Sequence, residues 1–243
     1  MQRFYLPSLS FLDNALLLED KDIIFQLVKV LRIRVGEEVI FFDGKTNIDY
    51  LFLVKEIDKK SILFSFKAKI EKVVDKKVKL HLYQAIPNKL SKIEYIIQKG
   101  VEVGINSFIF FSSNRSQKLI LSDKKILRLN KIIIEAVEQS NQNIIPKLEI
   151  KQNISLEKLI LSNNKEFAEN LFFHTSEENT KKLKDINTFS NKDINIFVGP
   201  EGGWSKEEIS RIEKLGYTKV CLGNNILRTE TVGIVVGFFL MEK

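Results

Sequence analysis

INIFVGPEGGWSKEEISRIEKLGYTKVCLGNNILRTETVGIVVGFFLM, Ile194 to Met241, is the stretch that decides the fold. Ile194 to Val198 reads as a buried strand. Ser205 to Leu215 reads as a helix opened by a capping box, Ser205 with Glu208 three residues on. Lys219 to Leu222 reads as a second strand. Thr231 to Met241 reads as a helix with Val232, Val235, Val236, Phe239 and Leu240 on one stripe. Strand, helix, strand, helix demands a parallel sheet, because parallel neighbours need a crossover.

Upstream the same alternation continues back to residue 78. Val78 to Gln84, Ser107 to Phe111 and Phe167 to Phe173 read as strands. Asn88 to Val103 reads as a helix with Leu90, Ile93, Ile97 and Val101 on one face, closed by Gly104. Ser122 to Gln139 reads as a helix with Ile126, Leu129, Ile133 and Val137 facing inward. Before residue 78 the pattern differs. Glu38 to Phe42, Asp49 to Val54 and Ser61 to Phe66 are short β-branched or aromatic runs, with the turn pair Asp43-Gly44 after the first. Asp22 to Leu31 reads as a short helix carrying Ile23, Leu27, Val30 and Leu31 on one side. Several short strands and one helix point to a small barrel. Lys67 to Lys77 is the best linker candidate. The expected organisation is a β domain over residues 1–72 and an α/β domain over residues 73–243, with helices on both faces of its sheet.

Charge placement narrows the function. The net charge is +7. Residues 1–75 balance 12 basic against 12 acidic side chains, whereas residues 76–131 hold 12 basic and 3 acidic. A focused basic region is what a phosphate backbone selects, since each neutralised phosphate releases counterions. The alternative is a set of solvated lysine faces in a Lys-rich chain. The longest apolar run, Gly233 to Met241, is far short of the ~20 residues that span a bilayer. The opening residues lack a continuous apolar core and a small-residue cleavage site, so no signal peptide is read there. One cysteine, Cys221, excludes an internal disulfide, and with two histidines, His81 and His174, a zinc site is not expected. A cytoplasmic setting is the default.

In an open α/β sheet, ligands bind outside the carboxyl ends of the strands. Two loops are expected there, on adjacent strand ends, Gly199 to Trp204 and Leu222 to Thr231. Three glycines and a proline in Gly199 to Gly203 make a preset turn where a ligand meets bare backbone. Neither loop is a phosphate cradle: no G-x-G-x-x-G follows the first strand, and no G-x-x-x-x-G-K-[ST] occurs. What remains is a backbone-lined pocket with one glutamate and one arginine, suited to reading an adenine through main-chain groups. Two ordinary strand–helix turns are the alternative.

These segments resemble the RsmE family of SPOUT methyltransferases. GPEGG before a capped helix, followed by LG-x-x-ILRTET, is that family's pair of signatures. Weaker likeness runs through Arg3-Phe4, Leu27 to Gly44, Lys92 to Ile105, Asn114-Arg115-Ser116 and Glu135 to Ser140 with Pro146. The resemblance implies a PUA-like barrel before a SPOUT-type α/β domain with a trefoil knot. It implies a homodimer with shared active sites, S-adenosylmethionine as methyl donor without a metal, and methylation of uridine N3 in small-subunit ribosomal RNA. Gln26 stands where the family usually has His, and Gln142 and Ile144 where arginines often follow EAVEQS; these departures bear on RNA contact.

Carried onto this chain, Gly199, Pro200, Gly202, Leu222, Gly223, Ile226 and Leu227 line the cofactor, largely through backbone. Thr229 and Thr231 cap the last helix and touch the cofactor. Arg228 stabilises a uridine anion or holds a phosphate, as a fixed-fork guanidinium can; a salt bridge to Glu230 is its structural alternative. Glu201 serves as general base if burial raises its pKa, or else accepts loop N–H groups to hold the turn. Arg3, Arg32, Arg34, Arg115 and Lys118 are the candidate RNA contacts. Glu135, Glu138 and Gln139 share a helix face, where they orient the site or stand in solvent. Trp204 caps the core or stacks on a base. His174 ends a strand near the pocket, and Cys221 belongs to the core. Two other functions fit the same residues: a methyltransferase acting elsewhere, such as on a ribose 2′-hydroxyl, and a non-catalytic RNA-binding or ribosome assembly protein.

Overall fold

The computed structural model describes residues 2–73, 78–162, 168–175, 180–186 and 193–242. They form two compact units, Met1–Asp75 with Val137–Ile145, and Lys76–Ala136 with Pro146–Lys243. The expected division at 72/73 thus lacks one piece, since residues 137–145 join the first unit. The expected linker is also shorter than Lys67 to Lys77, because the chain stays in a strand as far as Glu71. Residues 74–77 lie outside the described residues.

In the first unit five strands make one sheet: β1 (Gln2–Tyr5), β2 (Ala15–Leu18), β3 (Glu38–Phe42), β4 (Ile48–Ile57) and β5 (Ile62–Glu71), in the order β1-β3-β4-β5-β2. β1 runs parallel to β3 and every other pairing is antiparallel. Alternate residues point inward, so Val39, Phe41, Phe52, Val54, Ile62 and Phe64 form the core with Leu27. Its rings meet edge to face, Phe41 on Phe64 at 5.2 Å. The helical segment departs from expectation. α1 (Lys21–Phe25) is capped by Asp20, whose carboxylate accepts from the Asp22 and Ile23 N–H groups. It then widens into a π turn over Gln26–Val30, where the Leu31 N–H donates to the Gln26 carbonyl at 2.9 Å. The wide turn adds a residue and rotates the next side chains out of phase. Leu27 is buried as expected, but Val30 and Leu31 face solvent at 61% and 38% exposure.

The second unit is a parallel sheet of seven strands: β6 (Leu80–Ala85), β7 (Ser107–Ser112), β8 (Lys147–Ser155), β9 (Ala168–Phe173), β10 (Lys181–Lys182), β11 (Asp193–Val198) and β12 (Thr218–Cys221). Their order is β10-β12-β9-β11-β6-β7-β8, every pairing parallel. The helices are α2 (Leu90–Glu102), α3 (Asp123–Gln139), α4 (Leu156–Ser162), α5 (Lys206–Lys214) and α6 (Thr229–Met241). Side-chain alternation distributes them over both faces. Ile109, Phe111 and Phe197 pack with Leu156, Leu159 and Ile212 of α4 and α5. Leu82 and Phe108 point the other way, where Gly233 of α6 and Gly100 of α2 leave room for them. β8 and α4 carry weak patterns and have no counterpart among the elements expected from the sequence.

Strand order corrects one inference about the site. The two signature loops follow β11 and β12, but these strands are not neighbours; β9 lies between them. Order within a sheet is a long-range property that local periodicity does not encode.

Candidate functional site

The loops after β9, β11 and β12 wall one cavity of about 640 Å³. Phe173, His174 and Thr175 contribute from the first, Val198 to Trp204 from the second, and Leu222 to Glu230 from the third, with Lys92 and Val232 completing the lining. Of the expected cofactor residues, Gly199, Pro200, Gly202, Leu222, Gly223, Ile226, Leu227 and Thr229 line it. Thr231 does not; it lies inside α6, whose N-cap is Arg228.

Local chemistry fixes this shape. Gly223 has φ of +116°, a conformation that a side chain resists. A Cβ at Gly199 would meet the Trp204 ring at 3.0 Å. Trp204 is buried, its Nε1–H donates to the Phe173 carbonyl at 2.9 Å, and its ring lies against Phe172 at 4.9 Å. It therefore caps the core beneath the turn and is not open to a base. Ser205 and Glu208 form the expected capping box, and Glu208 also accepts from the Ser113 hydroxyl and the Asn114 N–H. The Asn114 loop is thereby fixed beside the GPEGG turn.

Thr229 has a different task from the one expected. It makes no N-cap bond; its hydroxyl donates to the Gly199 carbonyl at 2.5 Å. The buried Gln84 amide, at the end of β6, donates to the Thr229 hydroxyl at 2.9 Å and approaches the Gly199 carbonyl at 3.4 Å. The two loops are thus tied by neutral hydrogen bonds through a residue, Gln84, that the sequence does not single out. Its signal is weak, since a polar residue ending an alternating strand is usual.

Glu201 does not meet the condition set for a general base. Burial raises its pKa, but the Lys92 ammonium at 2.6 Å and the Asn88 N–H at 3.1 Å outweigh burial and hold it below the ordinary carboxylate value. A stabilised carboxylate is a poor proton acceptor. The alternative reading, a residue that holds the turn through loop N–H groups, describes its geometry. Lys92 also lies 3.7 Å from Glu230. Arg228 is exposed, and among the described residues no ion pair holds it, so the bridge to Glu230 is not formed. His174 directly follows β9, and burial, followed by Lys219, pushes its pKa down. Cys221 is buried in the core.

The RNA candidates separate. The Arg3 side chain is 8% exposed and its guanidinium binds Asp49 at 2.9 Å, the Asn143 side chain at 3.0 Å, and the Val137, Glu138 and Gln142 carbonyls. It closes the carboxyl end of α3, where a cation answers the free carbonyls, and is not an RNA contact. Glu138 accepts from the Tyr5 N–H in the same unit, so it serves structure. Arg115 is exposed and donates to the Gly202 carbonyl at 3.1 Å, beside the cavity. Lys118, Arg32 and Arg34 are exposed. Among the described residues no cluster of His, Cys, Asp or Glu is placed to hold a metal ion, and no helix is long and apolar enough to cross a membrane.

Loops gathered around a cavity at the carboxyl ends of a parallel sheet make a small-molecule site, and likeness to known proteins defines its class. Residues 74–240 match the family model described as RNA methyltransferase domain, and residues 20–67 match the RNA methyltransferase PUA domain. Among relatives, ribosomal RNA small subunit methyltransferase E of Buchnera aphidicola from Acyrthosiphon pisum is 35% identical over 214 residues, 86% of this chain and 81% of that protein. Its counterpart in Aquifex aeolicus is 32% identical over 94% of this chain and 95% of that one. The chain belongs to the ribosomal RNA small subunit methyltransferase E family. The crystal structure of the Neisseria gonorrhoeae member, bound to S-adenosyl methionine, superposes with a TM-score of 0.87 at 28% identity, covering 100% of this chain and 97% of that one.

Proposed function

We propose that this protein transfers a methyl group from S-adenosylmethionine to N3 of a uridine in small-subunit ribosomal RNA. The observation that carries the reading is the cavity walled by both signature loops, in a chain whose relatives are small-subunit RNA methyltransferases. The residues present fit the donor. The volume falls within the ~300–1,000 Å³ usual for small-molecule sites. Glycines leave main-chain groups bare for an adenine, and no cradle for a phosphate is built. The donor, when bound, supplies an electrophilic methyl on a sulfonium.

The chain's own residues supply position and charge. Uridine N3 carries a proton on the pairing edge of the base, so the base must be unpaired to be reached. As that proton passes to solvent, negative charge spreads over the ring, and the open guanidinium of Arg228 at the start of α6 is suited to stabilise it. The α6 N-terminus adds partial positive charge at the same end. Gln84 and Thr229 hold the Gly199 carbonyl, and Lys92 holds Glu201, so the loops are preorganised.

For RNA contact, the first unit presents Lys29, Arg32 and Arg34, held by no ion pair among the described residues. Phe25 and Val35 are exposed beside them in sequence, at 60% and 62%. Aromatic and cationic side chains together suit unpaired RNA. Arg115 and Lys118 are the cationic candidates of the second unit. A homodimer fits the apolar surface left on α6, where Val235 and Phe238 are 41% and 59% exposed, and on α2, which carries Tyr95 at 46%. The expected place of action is the cytoplasm, where ribosomes are assembled.

Nucleoside mass spectrometry of ribosomal RNA from a deletion strain tests the target: N3-methyluridine disappears from the small-subunit RNA, and its retention refutes the assignment. Titration calorimetry with S-adenosylmethionine tests the cofactor; no binding at millimolar donor favours a non-catalytic RNA-binding role.

A further inference from the structure

Lys92 lies in the first turn of α2, outside both signature loops, yet its ammonium reaches a carboxylate on each. It is 2.6 Å from Glu201 of the GPEGG turn and 3.7 Å from Glu230 in the first turn of α6. We infer that Lys92 is a positioning residue: a charge clamp that sets the spacing of the two loops and thereby the affinity for the methyl donor. The inference rests on the donor reading above.

Three observations separate this triad from an ordinary surface ion pair, which contributes little. The side chains of Lys92, Glu201 and Glu230 are 23%, 27% and 13% exposed, so each is partly buried, Glu230 most of all. Glu230 Oε2 is buried with no hydrogen-bond donor among the described residues, which leaves the Lys92 charge as its compensation. The third observation is the placement: Lys92 lines the cavity together with both carboxylates. The loops lie at the ends of strands separated by β9, so no shared ladder between β11 and β12 fixes their distance. The neutral tie through Gln84 and Thr229 acts at Gly199; the ionic tie acts at Glu201, with the Asn88 N–H joining it.

Removing the ammonium alone leaves two carboxylates, 2.6 and 3.7 Å from the lost charge, without it, and their repulsion pushes the loops apart. Removing one carboxylate as well relieves that repulsion. A clamp therefore predicts a pattern that simple loss of packing does not. In titration calorimetry with S-adenosylmethionine on the full chain, Lys92→Met weakens binding by about tenfold or more. Lys92→Arg returns to within about threefold of wild type. The double variant Lys92→Met/Glu201→Gln recovers most of the loss. Amide hydrogen exchange without donor shows faster exchange in residues 199–204 and 222–230 of Lys92→Met, reversed in Lys92→Arg. Donor affinity of Lys92→Met within twofold of wild type overturns the inference. So does a loss that neither Lys92→Arg nor the double variant repairs. Wild-type protein that binds no S-adenosylmethionine refutes the donor reading instead, and the exchange measurement still tests the clamp.

Discussion

Replacing Arg3 by Met tests whether this arginine holds the first unit together or meets RNA. The change keeps an unbranched stem of similar length and removes the guanidinium. In the native unit that group serves Asp49, Asn143 and three carbonyls at the end of α3, and lies 4.8 Å from the centre of the Phe42 ring. Removing one partner of a buried ion pair costs about 3–5 kcal/mol. The lower end applies, because Lys72 at 3.0 Å and Asn143 at 2.7 Å still serve Asp49. A loss of about 3 kcal/mol lowers the melting temperature of a domain of this size by roughly 12–24 °C. Thermal and urea unfolding followed by circular dichroism measure it. The pH dependence has a definite sign. Burial raises the Asp49 pKa, but the bonds from Arg3, Lys72 and Asn143 outweigh burial and hold it below its ordinary 3.8. Its stabilising contribution is therefore complete above that ordinary value and is lost as pH falls through the lowered folded value. The gap between wild type and Arg3→Met narrows at that acidic end. A stability change under about 0.5 kcal/mol, within what surface substitutions show, with a clear loss of RNA affinity, would refute the structural role.

Arg228→Ala removes an exposed guanidinium; turnover falls by about a hundredfold or more while the melting temperature holds, and wild-type turnover rules out its catalytic role. Thr229→Val keeps the shape but removes the hydroxyl that joins the Gln84 amide to the Gly199 carbonyl; donor affinity drops about tenfold, equivalent to roughly 1.4 kcal/mol, and an unchanged dissociation constant by calorimetry counts against the tie. Arg32→Ala and Arg34→Ala each weaken binding of small-subunit RNA fragments and reduce the salt slope of log affinity by about 1; unchanged slopes in filter binding place the RNA elsewhere.

The residues that bear chemistry were legible to different degrees. Gly199 to Trp204 announces itself, because a strand that stops at glycine and restarts as a capped helix leaves few places for the loop; Leu222 to Leu227 is marked by lying between a short strand and an apolar helix. Arg228 was legible for the same reason. The Glu201 role was not, because a pKa depends on what packs nearby, and Lys92 comes from a helix more than 100 residues earlier. Arg3 misled for a related reason. An arginine near a terminus in a basic chain reads as surface, but its partners include Val137, 134 residues away. The π turn at Gln26–Val30 escaped because a 3.6-residue period fits the same apolar residues until one extra residue shifts the phase.

By itself the sequence determined the α/β class of residues beyond 78, the β class of those before, the capped helix after GPEGG and the two signature loops that wall the cavity. These are local properties: periodicity, turn residues and caps act within a few residues of one another. Only the tertiary structure decided that β9 separates the two loops, that residues 137–145 join the first unit, that Arg3 is buried, and that Gln84 and Lys92 tie the loops together. Each of these depends on which distant segments become neighbours, and that is set by burying the whole core at once, a quantity no single stretch of sequence carries.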